Sequence, residues 1–304
     1  MIFEACGSYL EFNSSAVSGR TQVYCLIGDP VDHSLSPAIQ NTAFRSAGID
    51  AVYVPFRVRR KELKDAIRGL RAIGVRGFNV TTPHKSHVMR HLDKLDPTAR
   101  EIGSVNTVVA SENGMLTGYN TDGIGAVKAL QDAGAPLNET ALLFGAGGAS
   151  RAIAHALARH SKSIRLVNRT QSKARELERR LRRKYRIDVS HHALLRTRLR
   201  NLIEEADIII NGSAMGMDGR ADLPIEENWL NRDQWVMDIV YRPPETRLLN
   251  LAGLAGARTL NGLDMLVSQG ACSFELWTGR AAVIAEMRHA VARESLAFAH
   301  AKNS

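Results

Sequence analysis

The sequence predicts an α/β protein of two domains, each built on a sheet rich in parallel strands. Three observations predict it. The chain has 304 residues, enough for two domains of about 150 residues each with a sizeable core. Strand-like and helix-like segments alternate in two successive runs, the first opening at Val23 and the second near Ile124. In the second run a strand leads into Gly145-Ala146-Gly147-Gly148-Ala149-Ser150 and then a helix, the setting in which a glycine loop cradles a pyrophosphate.

Residues 1–20 have no periodicity and end in Ser18-Gly19, so they read as an extension ahead of the first domain. Residues 23–27 are strand-like and run into Gly28-Asp29-Pro30. Residues 37–47 form a helix, with Ser36 as its N-cap and Gly48 as its stop. A strand at 51–56, an amphipathic helix at 60–73 and a strand at 77–80 complete a β-α-β-α-β alternation, which implies parallel pairing. Pro83 fits the first turn of a further helix, with Lys85 just inside it. Segments 105–110 and 115–119 flank Glu112-Asn113-Gly114, a hairpin signal. The second run opens with a helix at 124–130 and a strand at 141–144. After the glycine loop come a helix at 151–159, a strand at 164–167 and a long basic helix at 171–185. Strands at 207–210 and 235–240, a helix at 246–253 and two last helices at 262–279 and 280–298 finish the chain.

The composition describes an ordinary globular protein, with 44% hydrophobic and 23% charged residues. No apolar run approaches the ~20 residues of a membrane span, and the N-terminus lacks the pattern of a secretory signal. Cysteines 6, 25 and 272 are far apart with no CxxC pair, which argues against disulfide scaffolding and zinc. A reducing, cytoplasmic location is therefore expected. His191-His192 lies in a polar, Arg-rich stretch, and no metal site is expected there. Much of the net charge of +9 lies in residues 175–200. Glu176 and Glu178 interleave with these arginines and no aromatic platform accompanies them, which favours a solvated helix face over nucleic-acid binding.

Two strand-to-helix turns carry candidate chemistry. One is Gly77-Phe78-Asn79-Val80-Thr81-Thr82-Pro83-His84-Lys85; the other is Asn120-Thr121-Asp122-Gly123. Such turns project polar groups into the ligand crevice of an α/β sheet, so Lys85 and Asp122 are candidates for an ion-paired acid/base couple. The plainer alternative is a solvated first-turn lysine and an N-cap aspartate. In the glycine loop, Gly145 permits a tight turn and Gly147 lets a pyrophosphate approach; Ser150 replaces the third glycine with a small residue. The next strand ends in Asn168-Arg169-Thr170, without the acid that holds an NAD ribose. Arg169, with Lys173 one turn later, suits a 2′-phosphate, so NADP is expected; the alternative is a surface arginine at a strand end.

Taken in order, the motifs resemble the shikimate dehydrogenase family from about residue 23 to 280. They are Ser34-Leu35-Ser36-Pro37 with Asn41, the Lys85 segment, Val105-Asn106-Thr107, the Asp122 segment, the glycine loop, Asn168-Arg169-Thr170, Asp238-Ile239-Val240-Tyr241 and residues 262–273. The resemblance implies a substrate-binding catalytic domain at 21–121, completed by C-terminal helices 262–304. It places a Rossmann-like NADP-binding domain at 122–261. It implies catalysis by Lys85 and Asp122, and substrate contacts from Ser34, Ser36, Thr81, Asn106, Tyr241 and Gln269. The cofactor positions it implies are Gly145, Ala146, Gly147, Gly148, Ala149, Asn168, Arg169, Thr170, Lys173, Ile239 and Gly262. The expected reaction reduces 3-dehydroshikimate with NADPH on the route to chorismate and aromatic amino acids. His84 fits the family's Pro-His-Lys form without a catalytic role. Gln40, Ser150 and Tyr53 resemble the branch that also accepts quinate, so a bifunctional quinate/shikimate dehydrogenase using NAD or NADP is the alternative. A non-catalytic NADP-binding sensor is the second. A monomer and a homodimer both fit the pattern.

Overall fold

The computed structural model describes residues 17–217 and 220–302, with side chains described as far as Glu294. Residues 1–16 of the expected N-terminal extension lie outside them. The first domain contains β1 (Gln22–Gly28), α1 (Ser36–Ser46), β2 (Ala51–Arg57), α2 (Leu63–Ala72), β3 (Gly77–Val80), β4 (Lys94–Leu95), α3 (Pro97–Ile102), β5 (Thr107–Ala110) and β6 (Leu116–Tyr119). Its six-stranded sheet has the order β2-β1-β3-β5-β6-β4. The crossovers through α1 and α2 make β1, β2 and β3 parallel, while the hairpin makes β5 and β6 antiparallel.

Helix α4 (Asp122–Asp132) leads to the second domain. That domain contains β7 (Thr140–Phe144), α5 (Gly148–Leu157), β8 (Ser163–Asn168), α6 (Gln171–Lys184), β9 (Asp188–Ala193), α7 (Arg196–Glu204), β10 (Ile208–Asn211), β11 (Trp235–Asp238), α8 (Arg247–Leu254) and β12 (Arg258–Leu260). Its six strands run β12-β11-β10-β7-β8-β9, all in parallel. Helices α9 (Gly262–Thr278) and α10 (Ile284–Lys302) then follow.

Strand periodicity divides the core. Cys25 and Ile27 of β1 face one side of the first sheet with Phe78, Val80 and α2, whereas Tyr24 and Leu26 face the other side. On that second side Phe44 of α1 meets Phe274 of α9 and Met287 and Val291 of α10, so the C-terminal helices pack on the first sheet. Two further clusters cover the faces of the second sheet. Helix α4 approaches its neighbours through glycines: a Cβ at Gly123 would lie 2.3 Å from the Ala152 carbonyl of α5, and one at Gly125 would lie 2.8 Å from the Gln269 nitrogen of α9. Asp122 therefore starts a helix fixed against both domains.

Several local expectations are corrected. Lys85 does not lie on a helix: consecutive turns run from Thr82 to a 3₁₀ segment at Val88–His91. The reason is tertiary, because the Lys85 carbonyl accepts from Val105 N–H at 2.8 Å and so leaves any helical ladder. Ser36 is the first helical residue instead of the N-cap; its N–H donates to Ser34 Oγ at 3.2 Å. The helix expected at 60–73 begins with a 3₁₀ turn, Arg60–Glu62. β4, α3, β9, α7 and β12 were not expected. The start signal of α3 is present in the sequence, since Asp96 caps the N–H groups of Thr98 and Ala99 and Pro97 follows it. β9 lies in a polar stretch with only Val189 deeply buried, whereas the spacing of Leu199, Leu202 and Ile203 in α7 is a helical signal present in the sequence.

The basic helix α6 bears ion pairs, Arg180 to Glu176 at 2.6 Å and Arg182 to Glu178 at 3.2 Å. Glu178 also reaches His191 Nδ1, a carboxylate partner from a different element. No group of metal-ligating side chains occurs among the described residues. No helix among them is long and apolar enough to cross a membrane.

His155, inside α5, is 2% exposed, and burial lowers its pKa to about 4; Glu101 opposes this while Arg180, Arg151 and Arg159 reinforce it. Between pH 6.5 and 4 the unfolded chain takes up a proton that the native chain refuses. Stability conferred by neutral His155 is thus complete above pH 6.5 and lost as pH falls towards 4, on the order of 3 kcal/mol. His155→Leu should flatten the pH dependence of the urea midpoint in this window. An unchanged slope would refute the assignment.

Candidate active site

The first sheet reverses its order between β1 and β3, so a crevice opens at their carboxyl ends. Thr81, just past β3, donates its N–H to Ile27 O at 2.9 Å and lays its methyl over Gly28. The turns that follow deliver Lys85. Its Nζ lies 2.6 Å from Asp122 Oδ2, with the lysine side chain 19% exposed and the aspartate 5%. The carboxylate is thus enclosed and the ammonium remains reachable. Asp122 N–H donates to Asn120 Oδ1 at 3.0 Å, and Asn120 Nδ2 donates to Ser104 O at 2.9 Å, which fixes the start of α4.

The second carboxylate oxygen, Oδ1, accepts from Asn106 Nδ2 at 2.8 Å. Asn106 has one workable amide orientation. Its Oδ1 accepts from Thr121 N–H at 2.8 Å and from Thr107 Oγ1 at 3.0 Å, so its NH₂ faces Asp122 and Gln269 Oε1. Beneath lies a layer that the sequence did not flag. Asn79 Nδ2 is 3.1 Å from both Thr107 Oγ1 and Ser273 Oγ, and Asn79 Oδ1 accepts from the Tyr53 phenol at 2.8 Å. Burial, then Cys25, pushes that phenol well above its ordinary pKa, and the nearby Ser36 hydroxyl opposes the rise. The Tyr53 phenol thus connects to Asn106 through Asn79, whose Nδ2 donates to Asn106 O at 3.0 Å. Tyr53→Phe would strand the Asn79 oxygen and should cost about 1–3 kcal/mol of stability in urea; an unaltered midpoint would show that the bond is dispensable.

The second sheet reverses between β7 and β10, and the glycine loop leaves β7 at that point. Gly145 has φ +107° and donates its N–H to Val167 O at 2.8 Å, a turn other residues resist. Nothing lies within 4 Å of a Cβ built at Gly147, so the N-terminus of α5 has an open approach. Ser150 is more than small: its Oγ donates to Gly212 O at 2.6 Å and ties the helix to the end of β10. At Gly148 a Cβ would lie 2.7 Å from Ser104 Oγ and 3.3 Å from Lys85 Cβ, so the loop abuts the lysine at this glycine, between Ala146 and Ala149 in sequence.

Asn168 Nδ2 donates to Thr170 O at 2.8 Å and shapes the turn after β8, where Arg169, Thr170 and Lys173 are exposed. Arg169 and Lys173 form no ion pair among the described residues. An anion-accepting helix start and two uncommitted cations fit an NADP pyrophosphate and 2′-phosphate. These cations sit one strand away from the glycine loop's own strand, apart from the Lys85 cluster.

Ile239 N–H donates to Asn211 O at 3.0 Å, and Gly262 passes so close that a Cβ would lie 2.2 Å from Ile239 O. Tyr241 packs on the cluster formed by β1, α1 and α9, and burial raises its phenol pKa against the nearby Arg242. Asp238, fully buried, accepts from Asn211 Nδ2 (2.9 Å), Val240 N–H (2.9 Å) and Thr246 Oγ1 (2.8 Å). Burial raises its pKa and these bonds oppose the rise. It braces the loop from Ile239 to Tyr241, a task that its place in the motif did not reveal.

Comparison with known proteins agrees with this arrangement. The family model for the shikimate dehydrogenase substrate binding domain matches residues 26–108, that for shikimate / quinate 5-dehydrogenase matches 128–217, and that for the shikimate 5′-dehydrogenase C-terminal domain matches 262–292. Shikimate dehydrogenase (NADP(+)) of Moorella thermoacetica is 43% identical over 283 residues, covering 92% of this chain and 95% of its own. A crystal structure of shikimate dehydrogenase in complex with NADP+ superposes with a TM-score of 0.85 at 40% identity, covering 91% of this chain and 97% of its own. Shikimate 5-dehydrogenase from Listeria monocytogenes, in complex with shikimate and NAD, gives a TM-score of 0.83 at 38% identity, covering 91% and 98%. With identity at this level along nearly the whole length, and the same α/β fold, the chain belongs to the shikimate dehydrogenase family.

Proposed function

We propose that this chain is an NADP-dependent oxidoreductase that interconverts 3-dehydroshikimate and shikimate. The observation that carries the reading is the 2.6 Å Lys85–Asp122 pair, joined by Asn106 and set against the glycine loop. Residues 21–121, closed by 262–304, hold the substrate, and residues 122–261 hold the cofactor.

When bound, NADPH supplies the hydride. Lys85 donates a proton to the forming alkoxide in reduction, and in oxidation its neutral amine accepts the hydroxyl proton. Asp122 orients Nζ for that exchange. The amides of Asn106 and Gln269 and the hydroxyl of Thr81 bind ring hydroxyls; such groups reject analogues that would leave them unpaired. Ser34, Ser36 and Tyr241 receive the carboxylate, with the N–H groups at the start of α1 adding favourable dipoles. The positions Gly145 to Ala149 hold the pyrophosphate. Asn168, Arg169, Thr170 and Lys173 hold the phosphorylated ribose, and Ile239 and Gly262 line the nicotinamide end.

Absorbance at 340 nm tests the reading, with shikimate or quinate against NADP+ or NAD+. Reduction of NADP+ by shikimate is expected. Comparable rates with quinate or NAD+ would move the chain to the bifunctional reading, which the placement of Tyr53 beside Ser36 favours. Gln40 does not strengthen that reading: it is 1% exposed and donates to Gly270 O, a packing role between α1 and α9. Silence in all four assays with NADP+ still bound would favour the sensor. Cytoplasmic residence is part of the same proposal, and light scattering decides between monomer and homodimer.

A further inference from the structure

We propose that Arg151 is a positioning residue that carries the placement of the dinucleotide loop to the turn holding Lys85; this rests on the reading that Lys85 moves the proton. Arg151 stands in the first turn of α5, just beyond Gly148. Its guanidinium crosses to the first domain and donates to the hydroxyl of Ser86, the residue next to Lys85. It also lies at the carboxyl end of α3, where a Cβ at Gly103 would be 3.3 Å from its Nη1. Arg151 has no ion-pair partner among the described residues, and it faces a second cation. Burial first, then Arg180, disfavours its charged form. Glu176, the carboxylate that favours its charge, is itself paired with Arg180 at 2.6 Å, so the half-buried guanidinium is poorly compensated. A neutral side chain would cover the same surface more favourably, so this guanidinium points to a task beyond stability.

Geometry supplies the task. The N-terminus of α5 meets the lysine twice: Gly148 lies against the Lys85 methylenes, and Arg151 holds Ser86. From its own domain the turn is held by Val105 N–H on the Lys85 carbonyl and by His84 against Val58 O. The Arg151–Ser86 bond is therefore a direct link between the helix that follows the dinucleotide loop and the turn that aims Nζ. Hydride and proton must reach one ring carbon and its oxygen together, and a misplacement of ~1 Å can cost ~10²-fold.

The test compares wild type, Arg151→Ala, Arg151→Lys, Ser86→Ala and the Arg151→Ala/Ser86→Ala double variant. Two readouts are taken: shikimate oxidation with NADP+, and hydrogen–deuterium exchange of peptide 82–91 with and without NADP+. Arg151→Ala should lower kcat by about 10–100-fold, with little change in either KM. Ser86→Ala should fall in the same direction, the double variant should be no worse than Arg151→Ala, and Arg151→Lys should recover part of the loss. NADP+ should slow exchange of 82–91 in wild type but not in Arg151→Ala. Ser86→Ala removes only a hydroxyl, so it keeps the test decisive if Arg151→Ala unfolds. Normal kcat with a lowered Tm, additive losses, or equal NADP+ protection in both proteins would overturn the proposal. A wild type inactive on shikimate, yet protected at 82–91 through Arg151, would overturn the shikimate reading and leave the coupling standing.

Discussion

Lys85→Ala is expected to lower kcat for shikimate oxidation by about 10²–10⁴-fold or more, while NADP+ binding survives. The size follows from what the side chain does and from what remains without it. General acid–base assistance contributes that range where the proton partner is held in place, and Nζ is held by a 2.6 Å bond to Asp122. Water could enter the vacated space, but it would lack the fixed position that Asp122 gives the amine. The fold should survive, because the Lys85 backbone is tied through its carbonyl to Val105 and its side chain is partly solvated. Removal does leave the enclosed Asp122 carboxylate with Asn106 as its remaining side-chain donor, so some loss of Tm is expected. Lys85→Met fills the volume and separates the two effects. Steady-state rates and NADP+ titration on the same samples check the prediction, and turnover near wild type would remove Lys85 from the mechanism.

The couple itself was legible in the sequence because both residues follow strand-like segments in polar turns, and such turns point into a sheet's crevice. The local backbone at Lys85 was not, because the bond that diverts it from a helix comes from Val105, twenty residues on. The supporting layer was hidden for the same reason. Asn79 reads as a polar interruption in a four-residue strand, yet its partner Ser273 lies 194 residues away on α9. Asp238 and Ser150 stood inside motifs, but their bonds to Asn211 and to Gly212 depend on which strands the topology makes neighbours. Alternation and glycine spacing announce elements and loops. Long-range polar pairing is set by strand order, which the pattern of β10 and β11 does not encode locally. β9 escaped because it is an edge strand of polar residues, with only Val189 deeply buried.

Arg169→Ala with Lys173→Ala should reverse the cofactor preference, raising the KM for NADP+ while leaving that for NAD+ unchanged. Each side chain is exposed and free of ion pairs among the described residues, so neither owes its position to the protein's own carboxylates. A 2′-phosphate is present on NADP alone, and charge-assisted bonds to it contribute about 1.5–3 kcal/mol each. At 1.4 kcal/mol per tenfold change, one such loss raises KM by roughly 10–100-fold. Arginine's planar fork suits two phosphate oxygens whereas lysine offers a point charge, so Arg169→Ala should exceed Lys173→Ala, and Arg169→Lys should restore only part of the loss. Because both groups are solvated, salt should shrink the wild-type preference and leave the double variant nearly indifferent. The stability of the fold gives no reason for change, since the turn is shaped by Asn168 and Thr170 and not by the two cations. Parallel loss of NAD+ and NADP+ binding would instead place these residues on the pyrophosphate, a contact common to both cofactors, and the acid-free end of β8 would then need another explanation.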